Sequence, residues 1–451
     1  MKHTFTEGSI VKSLIKFAIP LICASALQQL YVWVDALMVG NLLGEAYLAG
    51  VGAIASIDLV MVSTISGFVI GGTIVVARLS GEKKESEFRT ITSSFFLFMV
   101  CTFAVIGGIG CAVTRPLLVL LNTPEAILEI SIQYLRIIFL GVPFVAGYNV
   151  LAGVLRGVGD SKIGMYALVV AILINLGLNP LFILVFNWGI TGVAVATVIS
   201  QAVSLLLVII YTEKKFKYLA VRLKACYLKW KPLVMVVKKG VPLAMQMSLV
   251  AVGSVVLQSV MNSFGYEVVT GITTAYKVDY MILLIVVNTA DSISVFVSQN
   301  IGAGNPKRAL RGTFVGTGIV VAASLFTTLI VVLFGASFLR MFGLSETIVD
   351  IGATFFILNG SFYALYGLYE SGIAYLQGEG RVVMASVIAL LTMVFRIVMS
   401  YALCDIVGWK IISYAEVSCW AFGVILVVVL GAITMKKHKN LFCKTVENKR
   451  I

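Results

Sequence analysis

Residues 13–38 read SLIKFAIPLICASALQQLYVWVDALM, a predominantly apolar run with Lys16 near one end and Asp35 near the other. A helix rises 1.5 Å per residue, so about 20 apolar residues cross the ~30 Å hydrocarbon core of a bilayer. Lipid offers the backbone no hydrogen-bond partner, and a crossing segment of this length satisfies its own N–H and C=O groups by coiling. The stretch is therefore predicted to be a transmembrane helix with a carboxylate at membrane depth. Because Lys12 and Lys16 lead directly into a span of full length, no cleavable leader is expected.

The same ruler laid along the chain predicts eleven further spans, near 47–79, 91–113, 127–155, 164–187, 189–211, 234–262, 266–299, 313–334, 348–376, 382–404 and 411–434. The 451 residues are 60% hydrophobic and 12% charged. A water-soluble domain carries about 25% charged residues. Soluble, disordered and collagen-like classes are thereby excluded. Seven cysteines without a CxxC pair, and histidines only at His3 and His438, leave no disulfide framework, metal cluster or His-based catalyst. The sequence reads as a non-enzyme with no cofactor.

The net charge of +13 is a topology signal. Of the 34 Lys and Arg, 28 fall on the two ends and every second connection. Arg115, Arg340 and Lys410 lie on the opposite side, and Arg136, Lys277 and Arg396 fall inside spans. By the positive-inside rule both termini are expected to be cytoplasmic, in a plasma or inner membrane, and no nucleic acid is expected as partner. The expected organisation is an all-α protein with a six-helix lobe at 1–212, a basic cytoplasmic linker at 213–240, a second lobe at 241–435 and a tail at 436–451.

The two lobes repeat. At a shift of 221 residues Asn41 meets Asn262, Gly44 meets Gly265, Asp58 meets Asp279, Gly81 meets Gly302 and Trp188 meets Trp409, while Leu155, Gly157 and Gly159 meet Leu376, Gly378 and Gly380. Six crossings per copy is an even number, so both copies enter the membrane the same way. That is a parallel repeat about an axis along the membrane normal, typical of transporters that rock two bundles about a central site.

Several runs resemble the multidrug and toxic compound extrusion (MATE) family. They are Leu30-Tyr31-Val32-Trp33-Val34-Asp35 with Val39-Gly40, Leu155 to Lys162, Asn175-Leu176-Gly177-Leu178-Asn179-Pro180, Gly192 to Thr197, and Gln299-Asn300-Ile301-Gly302-Ala303-Gly304-Asn305 with Arg308. The resemblance covers nearly the whole chain. It implies two six-helix lobes in a V and export of amphipathic, often cationic, organic compounds against entry of H⁺ or Na⁺. The alternative is a lipid-linked saccharide flippase of the same multidrug/oligosaccharidyl-lipid/polysaccharide flippase superfamily, whose cleft carries several arginines. Small organic molecules and membrane lipids are the expected partners, and the expected state is a monomer.

Ionisable groups at membrane depth are costly, so each is a candidate. Gln28 and Tyr31 precede Asp35 by seven and four residues and share its helical face. A carboxylate flanked by neutral oxygens and amides is what a proton or cation site needs. Asn175 and Asn179 also share a face, ahead of Pro180, with Thr197 two turns into the next span. The resemblance implies a coupling site at Asp35, Asn175, position 179 and Thr197, but with a carboxylate where this chain has Asn179. H⁺ is therefore the expected coupling ion, with Na⁺ at Asp35, Asn175 and Thr197 as the other candidate. The second lobe offers Lys277, Asp279, Glu370 and Arg396, with Asp291 and Glu416. Glu370 is expected to pair with Lys277 or Arg396, because buried charges seldom stay unpaired.

Overall fold

A computed structural model describes residues 5–224 and 227–447, with the backbone alone for Glu85 and residues 432–447. Fourteen α-helices occur among the described residues: α1 Ile10–Leu43, α2 Glu45–Ala53, α3 Ala55–Gly81, α4 Glu85–Leu120, α5 Glu125–Gly157, α6 Lys162–Pro180, α7 Gly189–Lys215, α8 Trp230–Asn262, α9 Tyr266–Gly302, α10 Pro306–Arg340, α11 Glu346–Gly360, α12 Tyr363–Glu379, α13 Val382–Val407 and α14 Ile411–Glu447. No strand is present among these residues. Ten helical stretches are long and apolar enough to cross a membrane, and α11 with α12, bent by 52°, forms an eleventh. One of the ten runs 50 residues from Val382 to Gly431. At 1.5 Å per residue it would be about 75 Å long, more than twice the hydrocarbon core. It is in fact α13 and α14, divided by a single 3-10 turn at Gly408–Lys410 and packed on each other, which restores the twelve expected crossings.

The repeat extends to backbone conformation. Positive φ angles recur at the 221-residue shift in five pairs: Gly44 with Gly265, Lys83 with Gly304, Asn122 with Gly343, Gly159 with Gly380, and Asn187 with Gly408. α4 and α10 start at equivalent positions, as do α5 and α11. The helix breaks do not recur. The second span is interrupted at Ile54, whereas α9 is continuous; α5 is continuous, whereas its counterpart is split into α11 and α12.

The chain divides into two compact units, Met1–Ser248 with Ser298–Ala309, and Leu249–Val297 with Leu310–Ile451. The expected boundaries at 212 and 240 are thus displaced. The start of α8 and the last turn of α9 with its following loop pack within the first unit. One reason is the contact between repeat-related Gly81 and Gly302. A methyl group on Gly81 would lie 1.9 Å from the Gln299 carbonyl oxygen, and one on Gly302 would lie 2.0 Å from that of Arg78. Backbone is too stiff to yield by that much. Gly302→Ala is expected to destabilise the protein by about 1–3 kcal/mol, read as a lowered thermal midpoint in detergent. An unchanged midpoint would show that this approach is not needed.

In the first unit α5 is the central column, packed by α2, α3, α4 and α7, while α6 rests on α1 and α7. Phe88, Phe95, Met99 and Phe103 of α4 and Leu135 and Phe139 of α5 are at most 3% exposed within its core. The basic segment after α7 is not a free linker. Arg89 of α4 donates to the Lys217 carbonyl at 2.7 Å, Ser93 accepts from the Arg222 N–H at 2.9 Å, and Ser94 bonds the backbone at Tyr227 and Lys229. α8 then begins at Trp230, ten residues before the expected end of the linker. The backbone of the expected tail continues α14 to Glu447, and residues 448–451 lie outside the described residues.

Candidate functional site

In the first unit α1, α6 and α7 bring their polar residues together. Asp35 is 8% exposed, and Asn175 and Asn179 are fully buried. The Asn179 side-chain nitrogen donates to Asp35 Oδ1 at 2.7 Å and to Asn175 Oδ1 at 2.9 Å. Asn175 in turn donates to Thr197 Oγ1 at 3.3 Å, and the Thr197 hydroxyl donates to the Val193 carbonyl at 3.0 Å. The Tyr31 hydroxyl lies beside Thr197 and Asn175 on the α1 side of this chain. Asn179 Oδ1 is buried without a partner.

Local sequence explains the placement. Pro180 has no N–H, and the helix widens into a π turn over Leu181–Val185 immediately after Asn179. The four-residue spacing of Asn175 and Asn179 puts both amides on the face toward Asp35. Among the described residues, no Lys or Arg lies within ion-pair distance of Asp35; its neighbours are amides and hydroxyls.

Five of the six residues expected here are therefore joined. Gln28 is not: it is exposed and makes no hydrogen bond with the cluster. Seven residues share a helical face but separate two side chains by about 10 Å along the axis, beyond hydrogen-bond reach. Buried Tyr134 of α5 also lies close to this cluster, and nothing local in the sequence sets it apart from other span tyrosines.

The second unit departs from expectation in its pairing. Arg396 of α13 lies 3.1 Å from Glu416 Oε2 on α14 and donates to the Tyr276 hydroxyl at 2.8 Å. Tyr276 and Asn359 donate to the same carboxylate oxygen at 2.8 and 3.0 Å. Glu370 instead faces Tyr366, four residues earlier on α12, and Lys277 is exposed with no carboxylate beside it among the described residues. Both expected partners of Glu370 are thus corrected, because α13 presents Arg396 to α14 and not to α12. Glu416 was legible as a glutamate inside an apolar span; its partner was not. Buried Asp279 accepts from Tyr363, while its repeat mate Asp58 is exposed, so the two aspartates do not share an environment. The α11–α12 break lets Asn359 and Tyr363, on its two sides, reach Glu416 and Asp279 respectively.

Arg396 also lines a cavity of about 270 Å³ with Ser254, Gln258 and Ser400. The 221-residue shift places Arg396 opposite Asn175 and Ser400 opposite Asn179. At these equivalent positions the first half holds amides beside Asp35, and the second an arginine paired with Glu416.

A family profile described as MatE matches residues 20–181 and 242–402, one copy in each half. The chain belongs to the MatE family. It is accordingly a membrane transporter and not an enzyme. Among relatives, the probable multidrug resistance protein YpnP of Bacillus subtilis (strain 168) is 30% identical over 372 residues, 81% of this chain and 82% of its own length. The multidrug export protein MepA of Staphylococcus haemolyticus (strain JCSC1435) is 23% identical, over 84% of this chain and 85% of its own. A solved structure described as the outward-facing conformation of a multidrug resistance MATE family transporter superposes with a TM-score of 0.90 at 20% identity, covering 98% of this chain and 99% of its own. At that identity the likeness speaks for the MatE fold alone.

Proposed function

We propose that this MatE transporter exports small amphipathic organic compounds, cations among them, in exchange for H⁺ bound at Asp35. The multidrug names of its relatives support the substrate class. The coupling reading is carried by one observation: a buried carboxylate at membrane depth whose neighbours are amides and hydroxyls. A lone buried charge is expensive, and such a group is neutralised by a proton or a bound cation.

Asn179 favours the proton. An amide serves both protonation states, donating its NH₂ to a carboxylate or, turned over, accepting from a carboxylic acid with its oxygen. A second carboxylate at this position would give a metal cation twice the formal charge; an amide does not. Protonation of Asp35 weakens the charge-assisted bond to Asn179 and lets α1 shift against α6, which releases the substrate; deprotonation resets the site.

The test is uptake of a fluorescent cation into inside-out vesicles with pH and Na⁺ gradients imposed separately. Saturable uptake with the pH gradient alone is expected. Uptake that follows only the Na⁺ gradient would overturn the choice of ion, and no gradient-driven flux would overturn the antiport.

A further inference from the structure

At the lysine-rich end of the first unit lies a cavity of about 880 Å³, apart from the Asp35 cluster. Its charged lining is Lys12, Lys16, Lys162 and Lys215 against Glu7 and Asp160. Lys215 is occupied by Asp160 at 3.1 Å and by Tyr211. Lys12, Lys16 and Lys162 have no carboxylate within ion-pair distance among the described residues, and the cavity keeps an excess of two positive charges.

The walls are built. Arg308 donates to the carbonyls of Phe5, Glu7 and Gly8 at 3.2, 3.0 and 2.8 Å, and Gln299 accepts from the Phe5 N–H at 3.0 Å. The Gln299–Arg308 motif thus holds the N-terminal segment as one side of the cavity. Ser161 donates to the Phe17 carbonyl at 3.0 Å and ties the start of α6 to α1.

Two helices open at this cavity, α1 just before Lys12 and α6 at Lys162. Both run away from it with an exposed apolar stripe. On α1 it is Val11, Ile15 and Ile19, 46%, 40% and 52% exposed; on α6 it is Tyr166, Val170 and Leu173, 55%, 37% and 64% exposed. A basic pocket at the level where spanning helices begin, continued by apolar stripes toward the bilayer centre, matches a molecule with an anionic head and two acyl chains. A free phosphate would use the lysines but not the stripes.

We infer that this cavity binds the phosphate-bearing head group of an anionic glycerophospholipid, with its acyl chains laid along α1 and α6. The lipid is a resident partner and not the exported substrate, because the cavity shares no lining residue with the Asp35 cluster and lies at the other end of the same helices, α1 and α6.

The experiment is native mass spectrometry and thermal unfolding of the full chain in detergent with dioleoyl phosphatidylglycerol, dioleoyl phosphatidylcholine or inorganic phosphate. The wild type is expected to retain phosphatidylglycerol and to be stabilised by it selectively. The triple variant Lys12→Ala, Lys16→Ala, Lys162→Ala should lose roughly 100-fold in retention, at about fivefold for each lysine lost. The corresponding triple arginine variant should retain it. A control that removes equal charge elsewhere, Lys214→Ala, Lys217→Ala, Lys238→Ala, should bind as the wild type does. Equal loss in the control, or undiminished retention in the alanine variant, would overturn the site. Full stabilisation by inorganic phosphate alone would overturn the lipid and leave a phosphate site.

Discussion

Asp35→Asn is expected to abolish proton-driven efflux while the protein still inserts and folds. The substitution is nearly isosteric, and the new amide oxygen can accept from Asn179 as the carboxylate oxygen does at 2.7 Å. Packing is preserved, and only the capacity to gain and lose a proton is removed. Dye transport in vesicles should fall to the level of empty membranes, with a thermal midpoint close to the wild type. Normal pH-driven efflux would remove Asp35 from the coupling step. A reciprocal variant, Asn179→Asp, places a second carboxylate beside the first. By charge count it should make transport respond to Na⁺, a gain that a purely structural Asn179 would not produce.

The second large effect is expected from Arg396→Met. Its side chain is 18% exposed and that of Glu416 10%, so the pair is largely withdrawn from solvent. Removing the guanidinium leaves Glu416 with hydrogen bonds from Tyr276 and Asn359 but no counter-charge. Breaking one partner of a buried pair costs about 3–5 kcal/mol, whereas replacing both with neutral groups is often close to neutral. Arg396→Met should therefore lower the unfolding midpoint strongly, and Arg396→Met with Glu416→Gln should recover most of the loss. If the double variant is as unstable as the single one, the guanidinium acts through contacts other than Glu416. The pair also gives a reason for the asymmetry of the halves. A tethered cation stands in the second unit where, on the proposed coupling, the first takes an exchangeable proton.

Much of this was legible in the residues themselves. Hydrophobic length decides where helices cross, because each crossing satisfies its own backbone and needs only about 20 apolar residues. The constant 221-residue shift and the MatE resemblance followed from residues in one dimension, and the positive-φ pairs at Lys83 and Gly304 or Asn122 and Gly343 show the same repeat in the backbone. That Asn175 and Asn179 share a face was readable from their i, i+4 spacing, and polar groups in apolar spans stand out; that they meet Asp35 and Thr197 was implied by the family resemblance.

Pairing across helices was not. Glu370 was expected beside Lys277 or Arg396, yet it faces Tyr366 on its own helix, while Arg396 selects Glu416 and Tyr276 from two other helices and Asn359 joins through Glu416. Gln28 shares a face with Asp35 and still lies out of reach. The sequence by itself determined the number of crossings, the repeat and which buried polar groups need partners, because these depend on local length and composition. Only the tertiary structure decided which partners they take, because a few degrees of helix rotation or one break such as that between Gly360 and Tyr363 redirects a side chain to a different neighbour.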